Sequence, residues 1–160
     1  MSGMIITSDP DSAQAIAADG WFPPVTLSSL RDRLRVGGAT LTDAMLTEAI
    51  EGAMLTALRL LANWRSQRAL AGAMCLADVT SDQVNGRNRA EMLWERAIRF
   101  HAAAELADGN VDITATDAGL DRASEKETIA DTFRRLAGYA IADLLSIGGK
   151  RVGRIRVGLL

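Results

Sequence analysis

Residues 41–72 read LTDAMLTEAIEGAMLTALRLLANWRSQRALAG, and the period in that stretch decides the fold class. Leu46, Ile50, Ala53, Ala57, Leu61 and Trp64 recur at intervals of three and four, which places them on one face of an α-helix. Thr40 followed by Asp43 resembles a capping box with Asp in the position of Glu, and Gly72 supplies a stop. A helix over 41–71 would span roughly 45 Å at 1.5 Å per residue. That is long for a small domain, and such a helix is expected to be its backbone.

Upstream, GWFPPVTL at 20–27 places two of the chain's few aromatic residues, Trp21 and Phe22, in front of a double proline. Pro23 and Pro24 hold the chain extended and disfavour helix in the residue before each ring. Thr26 can then cap a short helix from Leu27 to about Val36, with Leu27, Leu30 and Leu34 on one face and Gly37-Gly38 as its end. The stretch is a lead-in that sets where the first helix begins. Trp21 and Phe22, with Trp64, are expected to anchor either this subunit's core or a contact between subunits, and core capping is the preferred role. Residues 1–20 are mostly small and polar and read as an arm that becomes ordered on binding.

Downstream, residues 72–88 read as a connection with a short turn. Asn88 and Glu91 make a second N-terminal box, for a helix to about Asp108 that turns Leu93, Ala97, Ile98 and Phe100–His101 towards the core. Glu95 and Arg99 stand in the favourable order for an i,i+4 ion pair. The stretch 108–119 carries turn-forming Asp, Asn and Gly and reads as a loop. A last helix is expected over 124–147, with Ile129, Phe133, Leu136, Ala140 and Leu144 in register and Gly148-Gly149 as its break. The end changes period: Ile155, Val157 and Leu159 alternate with Arg154, Arg156 and Gly158, which is the spacing of a strand. A lone strand in a helical chain needs a partner elsewhere.

The reading is therefore an all-α fold, a bundle of about four helices including one long one. An extended N-terminal arm (1–20), a helical domain (21–149) and a basic strand-like C-terminal arm (150–160) divide the 160 residues. Hydrophobic residues make up 48% of the chain, which argues against wholesale disorder. The net charge is −2, so bulk attraction to nucleic acid or anionic lipid is not expected. Lys150, Arg151, Arg154 and Arg156 nevertheless concentrate positive charge at the end of an acidic body. No apolar run reaches the roughly 20 residues needed to span a bilayer, and the N-terminus lacks the pattern of a secretory signal.

Chemistry finds little support. His101 is the one histidine and Cys75 the one cysteine, and no motif joins them, so both read as packed side chains. Glu-x-x-His metal pairs and phosphate-loop spacing do not occur. No catalytic residue, metal or cofactor is expected. A helix-turn-helix over 27–50 fails on charge, because its second helix would present Asp43, Glu48 and Glu51 to DNA. Three readings remain for the basic end. Arg151, Arg154 and Arg156 could contact DNA phosphates, the segment could be solvated, or it could add a strand to a partner's sheet. The last explains both the alternation and the charge.

The order of features then carries a resemblance. GWFPPVTLSSLRDRLRV (20–36), LANWRSQRALAG (61–72), CLADV (75–79), LWERAIRFHAAAELAD (93–108), DITATDAG (112–119) and DTFRRLAGYAIADLLSIGG (131–149) together resemble the head completion protein of contractile-tailed temperate phages, the GPL family. The resemblance covers Gly20 to Gly149. It implies a non-catalytic virion protein, made in the host cytoplasm and placed in the neck below the portal. It implies binding to the portal protein after DNA packaging and contact with a tail terminator or another neck protein. Self-association into a ring, commonly of twelve subunits, would extend a channel through which packaged DNA passes without sequence-specific binding. On this reading Arg151, Val152, Arg154, Ile155, Arg156, Val157 and Leu159 form the portal contact, and no membrane is involved. The competing class is a small helical DNA-binding or regulatory module.

Overall fold

The computed structural model describes residues 14–31, 41–109 and 117–149, of which 117–128 are described in backbone only. Among the described residues are four α-helices: α1 (Leu27–Arg31), α2 (Asp43–Leu70), α3 (Arg89–Gly109) and α4 (Asp117–Leu145). Two small antiparallel pairs accompany them, β1 (Ala15–Ile16) with β2 (Val25–Thr26), and β3 (Gln83–Val84) with β4 (Arg87–Asn88). The fold is a helical bundle with a long helix, as the periodicity predicts.

In α2 the buried positions are those of the expected stripe, Leu46, Ile50, Ala53, Ala57, Leu61 and Trp64, with Ala49 and Met54 added at its margins. Its start is displaced. The cap is Thr42 and not Thr40, with the Thr42 hydroxyl accepting from the Met45 N–H at 3.3 Å, so the helix begins at Asp43. The hydroxyl must lie immediately before the first turn to reach that donor. At the other end Gly72, at φ +104°, takes the left-handed conformation that closes the helix. The expected end of α1 at Gly37-Gly38 and the position of Leu34 lie outside the described residues.

The connection from 72 to 88 holds more order than a turn. Leu76–Val79 forms a 3-10 helix, and β3 and β4 make a hairpin closed by Asn85 (φ 51°) and Gly86 (φ 72°). Two successive left-handed residues are the requirement of a type I′ turn, which Asn-Gly meets. Asn88 caps α3 as expected, its Oδ1 accepting from the N–H groups of Ala90 (2.9 Å) and Glu91 (3.3 Å). Arg87, brought across from β4, meets the Glu95 carboxylate at 2.6 Å.

α3, and not α2, is the centre of the bundle: it packs most extensively against α4 and next against α2. Ala90, Trp94, Ala97, Ile98, Ala102, Ala103, Ala104, Leu106 and Ala107 are buried on it. Small side chains let helix axes approach closely, and Ala130, Ala137 and Ala140 answer them from α4. α4 begins at Asp117, ahead of the expected start at Ser124, so the last residues of the expected loop are helical. Its buried face is also rotated. Ile129 is 49% exposed, Phe133 and Leu136 do not reach the core, and Ala130, Ala137, Ala140, Ile141 and Leu144 face it. Phe133 stacks on Phe100 of α3 at 6.1 Å between ring centroids. Alanines thus take core positions where the sequence count favours Ile129, Phe133 and Leu136.

The lead-in segment packs inside this frame. Phe22 (2% exposed) stacks on Trp94 at 4.2 Å and Trp21 (7%) meets Trp64 edge-to-face at 6.0 Å. Trp94 is fully buried, and its indole N–H donates to the Pro23 carbonyl at 3.0 Å. The Leu76 N–H donates to the Trp21 carbonyl at 2.9 Å, and the Trp21 indole N–H to the Ala73 carbonyl at 3.2 Å. Asp19 organises the approach: Oδ1 accepts from the N–H groups of Trp21 and Phe22, and Oδ2 meets Arg65 at 2.9 Å. Residues 14–20 are thus drawn onto the body by the β1–β2 pair and by Asp19, although the sequence places them in the arm.

His101 of α3 is half-buried near Arg134 of α4. Burial first, and the Arg134 charge second, push its imidazole below the ordinary histidine value.

Three outcomes are expected. Trp94→Ala removes the stacked ring and the donor to Pro23, and should lower stability by about 3–5 kcal/mol in denaturant unfolding. Ile129→Ala, on an exposed site, should stay within about 0.5 kcal/mol of the parent. For His101, the unfolded chain binds the proton more readily, so stability should fall as pH drops below about 6.5 and the imidazole is forced to charge. His101→Leu should flatten that part of the pH–stability curve, and an unchanged slope would remove His101 as its source.

Candidate functional site

The residues that the sequence marks for partner contact, Arg151, Val152, Arg154, Ile155, Arg156, Val157 and Leu159, lie outside the described residues. What the structure describes is their root. α4 ends at Leu145, and Gly148 turns the chain at φ +67°. The Trp64 indole N–H donates to the Ile147 carbonyl at 3.1 Å, in a buried position, and so ties the end of α4 to α2. The Arg68 guanidinium occupies the space that a Cβ on Gly148 would need. Both the left-handed φ and this close approach call for glycine there. The chain up to Gly149 is therefore held at a fixed point between α2 and α4.

The anchors Trp21, Phe22 and Trp64 meet in one cluster with Trp94, all four rings buried within the single chain. Trp94 escapes a reading of the sequence because its neighbour Leu93 fits the same helical face nearly as well. Ala90, Ala97 and Ile98, three and four residues away, mark Trp94 as the inward position. Asp19, which orders the approach to the cluster, gives no signal in the sequence beyond a carboxylate two residues ahead of Trp21.

A groove of about 300 Å3 lies along the N-terminal half of α3. Arg87, Arg89, Arg96 and Arg99 line it, with Glu95 the one acidic residue and Val84, Met92 and Leu93 supplying apolar surface. Arg89, Arg96 and Arg99 are spaced by seven and three, a signal of one helical face; Arg87 joins them because the hairpin folds back beside α3. Arg87 is paired with Glu95, and Arg89 with Asp82 at 3.1 Å. Arg96 lies over the Phe100 ring at 4.8 Å. Further along α3, the carboxylate of Glu105 lies against Gly52 of α2, where any side chain on residue 52 would collide with it.

Among the described residues no group of three or more His, Cys, Asp or Glu side chains could hold a metal ion, and no helix is long and apolar enough to cross a membrane. Cys75 precedes the 3-10 helix, where its N–H and that of Met74 donate to Asp78 at 3.1 and 2.9 Å. Those backbone donors hold the Asp78 carboxyl below its ordinary range, and the contact stabilises a turn. His101 Nε2 has no partner among the described residues.

Comparison with known proteins supplies what the chemistry does not. The chain is similar to the head completion/stabilization protein of Escherichia phage P2, with 27% identity over 141 residues, 88% of this chain and 83% of the relative. No solved structure matches it. The family described as phage head completion protein (GPL) matches residues 16–155, a span that takes in the aromatic lead-in, all four helices and the root of the basic end, and the chain belongs to that family.

Proposed function

We propose that this protein is a structural component of the virion that joins the head after DNA packaging, binds the portal and prepares the neck for the tail. The observation that carries the reading is the family match over 16–155, on a body that offers shaped and charged surfaces. Three features support it. The body is a helical bundle with an apolar core, suited to forming part of a wall. The basic end follows a braced root, so a segment that orders on docking would stay rigidly referenced to the body. The remainder of the chain carries excess negative charge, which would keep a channel wall from gripping DNA.

On this reading the strand-like end docks on the portal. Ile155, Val157 and Leu159 face an apolar strip, and Arg151, Arg154 and Arg156 meet an acidic rim. Val152 extends the apolar side. Copies of the chain form a ring that continues the portal channel, DNA passes through without base-specific contacts, and a tail terminator or other neck protein binds the far face. The chain acts by position and needs no catalytic group or cofactor.

Native mass spectrometry of the full chain, alone and with the portal protein of the same phage, tests the reading. A ring-sized complex with the portal is expected. A chain that stays monomeric or dimeric in the mixture, and instead binds duplex DNA with a steep salt dependence, would point to a regulatory module. Deleting 150–160 should abolish portal attachment while helical content by circular dichroism stays intact. Arg154→Glu with Arg156→Glu should weaken attachment more than Arg59→Glu with Arg135→Glu; equal losses would reduce the contact to general charge attraction.

A further inference from the structure

α3 carries opposite charge on its two sides. Arg96 and Glu105 are nine positions apart, about two and a half helical turns, so they project from opposite faces. The Arg96 side holds the arginine groove, where guanidinium groups and the apolar Val84 and Leu93 share one surface. Val84 is 52% exposed, and Arg96 makes no ion pair among the described residues. The Glu105 side presents the reverse. Gly52 lets that carboxylate lie against α2, beside Glu48. Glu51 shares the outer face of α2 with Glu48, and Leu55, one turn on, is 71% exposed.

Carboxylates crowd the acidic side, where Arg134 pairs with Asp108. Partial burial, and then the charges of Glu48 and Asp108, push the Glu105 carboxyl above the ordinary carboxylate range. A cationic surface brought against this face would relieve that repulsion. The groove is not a simple phosphate cradle. A nucleic-acid backbone would use its arginines and leave Val84 and Leu93 against water, whereas an acidic face with a protruding leucine uses both kinds of surface.

We infer that the arginine groove of one copy receives the Glu48–Glu51–Leu55 face of α2 from the next copy, Leu55 set against Val84 and Leu93 and the carboxylates against the guanidinium groups. The choice of a second copy as occupant rests on the ring reading given above. Because the two surfaces differ and lie on opposite sides of α3, the contact is head-to-tail, and it repeats from copy to copy until the arrangement closes.

Sedimentation velocity and native mass spectrometry of the full chain, alone and with its portal, test this with two variants, Arg96→Glu and the double variant Glu48→Lys with Glu51→Lys. Each should keep its helical content and weaken self-association by roughly tenfold or more. An equimolar mixture of the two should associate more strongly than either variant alone, since the unaltered groove of one meets the unaltered acidic face of the other. Rings of normal strength from either variant would overturn the inference while leaving the ring reading intact. So would a mixture that stays monomeric, or an Arg96→Glu variant that loses only duplex DNA binding. A parent chain that never assembles, alone or with the portal, overturns both.

Discussion

A buried carbonyl needs a donor, and a Pro-Pro segment has no N–H of its own to offer a neighbour. The stretch around Pro23-Pro24 meets that constraint with donors from distant parts of the chain: the Trp94 indole serves Pro23, and the Leu76 N–H serves Trp21. Trp21 in turn donates to Ala73. The arrangement ties together the lead-in, the connection after α2 and the first turns of α3. It requires the four aromatic rings to meet, and their meeting defines where α2 must end and α3 begin. Fully burying an indole of ~200 Å2 at ~25 cal/mol per Å2 contributes about 5 kcal/mol before entropy is counted. Exposed ion pairs of the kind seen on this surface contribute far less.

The rest of the bundle follows a different rule. The buried faces of α3 and α4 are rich in alanine, with Ile98, Leu106, Ile141 and Leu144 among them, and Phe100 and Phe133 stack at lesser depth. Two concavities among the described residues sit near the hairpin, where β4 and the lead-in overhang α3. The chain segregates its exterior surfaces: a basic groove on one side of α3 and carboxylates on the other.

Legibility in the sequence follows the physics of each element. The stripe of α2 can be read because apolar residues repeat without interruption from Leu46 to Trp64. The cap of α3 can be read because Asn88 is a short side chain next to a periodic run. The hairpin escapes notice although Asn85-Gly86 carries its signal, since two-residue strands are too short to show alternation. The start of α4 is hidden because Asp117 and Gly119 favour turns locally, although the helix already begins at Asp117. Ile129 is misplaced on the core face because large apolar residues outweigh alanines in any hydrophobic count. The arginine groove is assembled from two elements, and no single window of sequence contains it.

The anchored end of α4 has a consequence for how the molecule bears force. α3 and α4 pack along one another, while Trp64 and Arg68 of α2 grip the chain at 147–148. Tension applied beyond Gly149 would reach this junction before it reaches the helices. It would then be shared along the length of the alanine-rich seam, where many contacts must slide together, and would not peel the last turn away one bond at a time. A root held in this way would turn a local pull into a load on the whole bundle.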